Sequence, residues 1–284
     1  MTVFKPLCAM ALATAIFTLP AAADELSDKA KSGAALAVGT ANEAPFSSIG
    51  PDGALKGSDI VLLNAVLDAM GVSGTEGVLT EFGALIPGLK ANRFDIIAAG
   101  LYISPDRCKQ VAFAEPIFAI GNTFIVPAGN PKNLHSYADL EADPSLKAGH
   151  TMGSRLRGEA LEMGVPESQL VALPDGPALI AAVKSGRVDA ALYPALSAQT
   201  LIDASKDTAI ERADPFETPV INGKPRVSYG SFAFRPEDKE FLTTFNAELK
   251  KILASPEYLE MVRPFGLTAA ELPGKVTTAE LCGG

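Results

Sequence analysis

A nine-residue pattern occurs twice in this chain: Leu89-Lys-Ala-Asn-Arg-Phe-Asp-Ile-Ile97 and, 94 residues further on, Val183-Lys-Ser-Gly-Arg-Val-Asp-Ala-Ala191. Lysine, arginine and aspartate recur in place, and each copy sits where a helical pattern ends and a short apolar run begins. A helix that turns directly into a strand is the joint of a βαβ unit. Two such joints this far apart predict two similar α/β lobes.

The flanking periodicity supplies the rest of each lobe. Ala35–Gly39 reads as a strand, Gly57-Ser-Asp59 opens a helix with Ile60, Leu63, Leu67 and Met70 on one face, and Gly71 closes it. A strand at Gly77–Thr80, a short helix over Ala84–Lys90 and a strand at Asp95–Ala98 complete βαβαβ, the grammar of a parallel sheet. The second lobe is predicted from a strand at Ser145–Gly149, helices over Ser154–Met163 and Pro177–Lys184, and a strand at Val188–Leu192. Arg226–Phe234 reads as extended, and Glu237–Ile252 as a strongly amphipathic helix expected to return to the first lobe. The chain then crosses between lobes near 122–128 and 226–234, and two crossings make a hinge. The expected organisation is a signal peptide at 1–23, a first lobe from 24–125 and 229–284, and a second lobe from 126–228.

The signal peptide is read from Lys5, the apolar run Leu7–Leu19 and the small-residue site Ala21-Ala22-Ala23. The run is shorter than the roughly 20 apolar residues of a membrane span. Cleavage after Ala23 leaves Cys108 and Cys282 in an oxidising compartment, where a disulfide between them is favoured over two buried thiols. A formal net charge of -9, one unit more acidic once Lys5 is removed, argues against nucleic acid or an anionic membrane as partner. A small ligand or a protein partner remains.

Ligands of open parallel sheets bind beyond the carboxyl ends of the strands. Glu43 and Phe46 follow the first predicted strand, Phe82 the second, and Tyr102 with Arg107 the third. Any one ring there is ordinary packing, but three at successive strand ends suggest a cage. Aromatic faces attract a cation, and a guanidinium suits a carboxylate. The implied ligand is a small zwitterion with a delocalised or shielded positive charge.

In the second lobe Gly149-His-Thr-Met-Gly-Ser154 leads into a helix, either to present donors to an anionic group or only to be capped by Ser154. Arg155 and Arg157 make the region basic, with solvent open to at least one of them, and Tyr193 and Pro194 are its other candidates. Only His135 and His150 are present, without metal-ligand spacing, nucleophile elbow or phosphate loop. His135 reads as solvated and His150 as structural. No enzyme activity, cofactor or metal is expected.

These residues resemble a known family. Gly39–Phe46, Glu81–Leu89, Arg93–Gly100, Ser104-Pro-Asp-Arg107 and Gly129–Leu134 look like the solute-binding proteins of polar amino-acid ABC importers (family 3), over nearly the whole mature chain. Ala41-Asn-Glu-Ala-Pro-Phe46, Asp106-Arg-Cys108 and the cysteine near the C-terminus are most similar to its ectoine/hydroxyectoine-binding branch. The resemblance implies a type II periplasmic binding protein, monomeric, offering its ligand to permease subunits in the inner membrane. It implies that Phe46, Phe82 and Tyr102 box an amidinium ring, Arg107 pairs with a carboxylate and Glu43 meets the ring nitrogens. Amino-acid receptors of the family carry an aspartate for the α-ammonium where this chain has Tyr193-Pro194, which favours ectoine. Arg155 stands where the branch has a threonine, so a second carboxylate contact, a clash with ectoine or a swing into solvent are all open. Two alternatives remain, a polar or cationic amino-acid receptor and a secreted dehydratase of the cyclohexadienyl type with Glu43 as general acid.

Overall fold

The computed structural model describes residues 24–72, 74–221 and 223–283, so the expected signal peptide lies outside the described residues. Two five-stranded sheets form the expected pair of α/β lobes. In the first, Thr75–Leu79, Leu36–Thr40 and Ile96–Ile97 are parallel neighbours, followed by Ala233–Phe234 and Ala112–Phe113. In the second, Leu170–Leu173, Ala148–Thr151 and Ala190–Pro194 are parallel, followed by Asn122–Pro127 and Ile210–Arg212. The fourth position of each sheet is antiparallel to both neighbours and is filled by a strand that has just arrived from the other lobe.

The repeated aspartate explains why the nine-residue pattern recurs. Asp95 accepts from the Ala37 backbone N–H at 2.8 Å while its own N–H donates to Ala37 O. Asp189 makes the same exchange with Lys147. Each aspartate thus registers its strand against the neighbouring parallel strand of its own sheet, which satisfies backbone groups that burial would otherwise orphan.

Most elements shift by one to three residues at an end from their predicted bounds, and two of these shifts have a local cause. The strand expected at Ser145–Gly149 runs Ala148–Thr151, because Asp143 captures the Ser145 N–H and hydroxyl and the Gln169 amide takes Leu146 O. The helix expected over Ser154–Met163 spans Leu156–Glu162, because Ser154 N–H closes a turn onto Thr151 O. The first crossing also comes earlier than 122–128. Phe118–Ile120 pairs antiparallel with Ser228–Gly230 in a two-stranded hinge, and Asn122 already pairs with Pro194 in the second sheet.

Lys239–Leu253 packs on Ser58–Ala69 of the first lobe, as its apolar stripe requires. It buries Phe241, Phe245 and Leu249 beside Phe232 and Phe234, with Phe234 and Phe245 ring centroids 5.1 Å apart. Cys108 and Cys282 are bridged, with Cα atoms 5.8 Å apart, and Thr278 ties the tail to Ala114 O and Glu115.

Candidate functional site

The parallel strands of both lobes end at one crevice. A tight turn after Leu36–Thr40, in which the Phe46 and Ser47 N–H groups both donate to Glu43 O, sets the Glu43 side chain at its edge. Phe82 opens a short turn after Thr75–Leu79, Tyr102 follows Ile96–Ile97, and Arg107 rides on the four-residue helix Pro105–Cys108. From the other side come Thr151, Ser154, Arg155 and Leu156 after Ala148–Thr151, and Tyr193 with Pro194 at the end of Ala190–Pro194. Together with Gly100 these residues line one cavity of about 30 Å³. That holds no more than about two water molecules, so a ring-sized ligand requires the lobes to part.

The expected residues Glu43, Phe82, Tyr102, Arg107, Arg155 and Tyr193 all line the cavity, and Phe46 does not. The Phe46 ring is fully buried and stacks on Phe118 at 4.5 Å, and Phe118 meets Tyr102 edge-on at 6.2 Å. It also lies directly under Gly100, whose φ of +63° suits glycine and where a Cβ would come within 2.5 Å of the ring. Phe46 is thus the cavity's floor support, one layer below its wall. The reason is local: its turn tucks it beneath Gly100 instead of leaving it on the strand's rim.

Arg107 is buried and bridges the lobes. Its Nη1 donates to Tyr102 O at 2.7 Å, its Nη2 to Gly153 O at 2.9 Å, and its Cζ lies 5.7 Å from the Phe82 ring centroid. Burial, and secondly the charge of Arg155, bring its pKa down to about 10, so it stays a cation at neutral pH. Gly153 is needed at this contact, because with φ +78° a Cβ there would stand 2.5 Å from Gly83 Cα of the first lobe.

Glu43 is the carboxylate of the cavity lining. Its Oε2 accepts from the Tyr193 hydroxyl across the crevice at 3.1 Å, while its Oε1 is buried with no hydrogen-bond partner among the described residues. Burial pushes its pKa up to about 7, which the Ser197 and Tyr193 hydroxyls only partly offset. Arg155 lines the second-lobe wall, with its nearest carboxylate, Glu162, at 3.8 Å. Ser154 does not cap the helix, and its hydroxyl is buried beside the cavity without a partner among the described residues.

The histidines stand elsewhere. His150 is buried in its strand with Nδ1 on Thr151 O, and burial lowers its pKa. His135, expected to be solvated, is partly buried and holds Pro215 O at 2.6 Å. One polar chain escaped the sequence reading: Tyr102 donates to Asn122, Asn122 Nδ2 to Glu159 Oε1 at 2.8 Å, and Tyr137 to the same oxygen at 2.9 Å. A glutamate inside an otherwise ordinary helical pattern gives no sign that its partners lie in other elements. Among the described residues no cluster of His, Cys, Asp or Glu suits a metal, and no helix is long and apolar enough to cross a membrane.

The arrangement offers a cationic fork, an unpaired carboxylate oxygen and aromatic faces at close quarters. Comparison with known proteins bears on what it takes. The family described as bacterial extracellular solute-binding proteins, family 3, matches residues 36–268. A probable amino-acid ABC transporter periplasmic-binding protein, y4tE of Sinorhizobium fredii, is 36% identical over 254 residues, which are 87% of this chain and 82% of that one. The crystal structure of EhuB in complex with hydroxyectoine superposes with a TM-score of 0.81 at 32% identity, covering 91% of this chain and 98% of that one. The ancestral amino-acid-binding protein AncCDT-1, a precursor of cyclohexadienyl dehydratase, superposes with a TM-score of 0.71 at 27% identity, covering 85% and 99%.

Proposed function

Since the chain belongs to the bacterial extracellular solute-binding proteins, family 3, and has their two-lobed type II periplasmic binding protein fold, we propose that it is the periplasmic receptor of an ABC importer for a small zwitterionic compatible solute, ectoine or hydroxyectoine. The observation that carries this reading is the cavity itself, where Arg107, the free Oε1 of Glu43 and the rings of Phe82, Tyr102 and Tyr193 converge from both lobes. Arg107 takes the ligand's carboxylate. Glu43 Oε1 accepts from its ring nitrogens, and the aromatic faces hold the flat, delocalised cation. Phe46 supports this wall from below through Phe118 and Gly100.

Binding and hinge closure are the whole of the mechanism in this reading, and the closed form is what the permease subunits receive. The likeness to EhuB, itself in complex with hydroxyectoine, supports the choice of ligand. At Tyr193 the crevice presents a neutral hydroxyl, already donated to Glu43, so Glu43 is the carboxylate of the lining that meets a ligand nitrogen. A buried Glu43 with a pKa near 7 is also what a general acid requires, which keeps a dehydratase of the AncCDT lineage as the second reading.

Thermal-shift and calorimetric titration of the mature protein with ectoine, hydroxyectoine, arginine and glutamine tests the proposal. The two ectoines are expected to stabilise the wild type and to have no effect on Arg107→Ala. A response to arginine or glutamine alone would replace the ligand, and turnover of prephenate would replace the class.

A further inference from the structure

The cavity's two guanidiniums come from opposite lobes. Arg107 Nη2 reaches across the crevice to Gly153 O, two residues before Arg155, so closure brings both cations into the lining of one cavity of about 30 Å³. Like charges confined away from water repel strongly unless something anionic lies between them. Among the described residues nothing fills that role at contact distance. Both hydrogen bonds of Arg107 end on carbonyl oxygens. Glu162, the nearest carboxylate to Arg155 at 3.8 Å, is already held by Arg226 at 2.8 Å. Glu43 is turned toward Tyr193. Next to Arg155 the Ser154 hydroxyl is buried at the same cavity with no partner.

We infer that Arg155 is a second carboxylate-binding residue, so that the ligand's acid group is gripped by one guanidinium from each lobe and is the group that drives closure. The inference rests on the receptor reading of this cavity, and it does not depend on ectoine being the ligand. Arg155 has room to perform it: its side chain is 21% exposed, and no side-chain hydrogen bond has to break for it to move aside as a ligand enters. Two cations facing one carboxylate also make the acid group obligatory, so the receptor rejects analogues in which it is an amide or is missing.

The test uses acetate as a bare carboxylate and ectoine as a full ligand, with wild type, Arg155→Gln and Arg155→Lys. Melting temperature and small-angle scattering are followed as sodium acetate replaces sodium chloride at constant ionic strength. Wild type is expected to gain stability and become more compact with acetate. Arg155→Gln should lose that response and bind ectoine about 30-fold or more weakly, as when one partner of a buried charge pair is removed. Arg155→Lys, a point charge at the same place, should recover much of both. An Arg155→Gln protein that answers acetate or ectoine as well as wild type, or a wild type indifferent to acetate, overturns the inference. Acetate-driven closure in a wild type that ignores ectoine leaves the two-guanidinium grip standing and removes ectoine as the ligand.

Discussion

Glu43 carries opposing demands in one side chain. Its pKa of about 7, raised by burial, lies above the roughly 4.3 of an unfolded glutamate, so between these values the folded chain binds more protons than the unfolded one. Stability therefore falls as pH rises across that window, and above pH 7 the ionised carboxylate costs roughly 4 kcal/mol. A ligand that brings N–H donors or a cation to the unpaired Oε1 favours the ionised form instead. Binding near neutral pH is thus expected to release a proton, and affinity to rise as pH passes through 7. Glu43→Gln should raise the melting temperature at pH 8 more than at pH 5, yet weaken ligand binding at pH 8 by about 10- to 100-fold, the loss of one charge-assisted hydrogen bond. Calorimetry in two buffers of different ionisation enthalpy reads the proton directly. A wild type that releases none shows that Glu43 is not the group meeting the ligand's nitrogen. Asp59, buried beneath Gly100 and also pushed up to about 7, adds to the stability slope in both proteins and leaves their difference intact.

The element that places Arg107 is only four residues long, Pro105–Cys108, and cannot hold itself in shape. It is fastened behind the site by the bridge from Cys108 to Cys282, and the tail beyond is pinned by Thr278 to Ala114 and Glu115. Cys282→Ser, with Cys108→Ser to avoid a stray thiol, is expected to cost roughly 2–5 kcal/mol, or about 5–15 °C in melting temperature. Because Arg107 adjoins the bridge, ligand affinity should fall as well, whereas a bridge that only ties down the tail would leave titration curves unchanged. The order of elements around this turn was legible in the sequence, since a βαβ joint announces itself by periodicity, and the strand-end rule then picked out Glu43, Phe82, Tyr102 and Arg107. Phe46 lies one layer below the rim because spacing along a strand does not reveal that the following turn folds back under Gly100. The strand at Ala148–Thr151 starts later than its apolar pattern because side-chain captures by Asp143 and Gln169 outweigh that pattern. Direction is not written in the sequence either: position makes Arg155 a candidate, but only packing turns it toward the cavity.

At the scale of the molecule, the two lobes are joined by more than their hinge strands. Each sheet holds a strand delivered from the other lobe, so the lobes form as interdependent halves, and the site lies where they meet. Asn122, two residues past the hinge strand Phe118–Ile120, joins them chemically: it accepts from Tyr102 of the first lobe and donates to Glu159 of the second. Glu159 is almost wholly buried, its Oε2 has no hydrogen-bond partner among the described residues, and the nearest cation, Arg226, stands 4.0 Å away. Burial raises its pKa, and the Asn122 amide and Tyr137 hydroxyl pull against that rise. With a folded pKa above the unfolded value, the favourable contribution is complete below the unfolded value near 4.3 and is lost as pH rises through the folded one. Asn122→Ala removes a donor that favours the ionised form, so it pushes the folded pKa higher and makes the penalty at alkaline pH larger. The variant is expected to lose about 1–3 kcal/mol of stability, more at pH 8 than at pH 5. It should also bind ligand more weakly, since Tyr102 loses its tether at the cavity wall. Melting curves at the two pH values, paired with titration at pH 7, check both effects. An equal loss of stability at both pH values would mean that Asn122 matters for packing alone, and unchanged affinity would mean that the hinge and the cavity wall are not coupled through it.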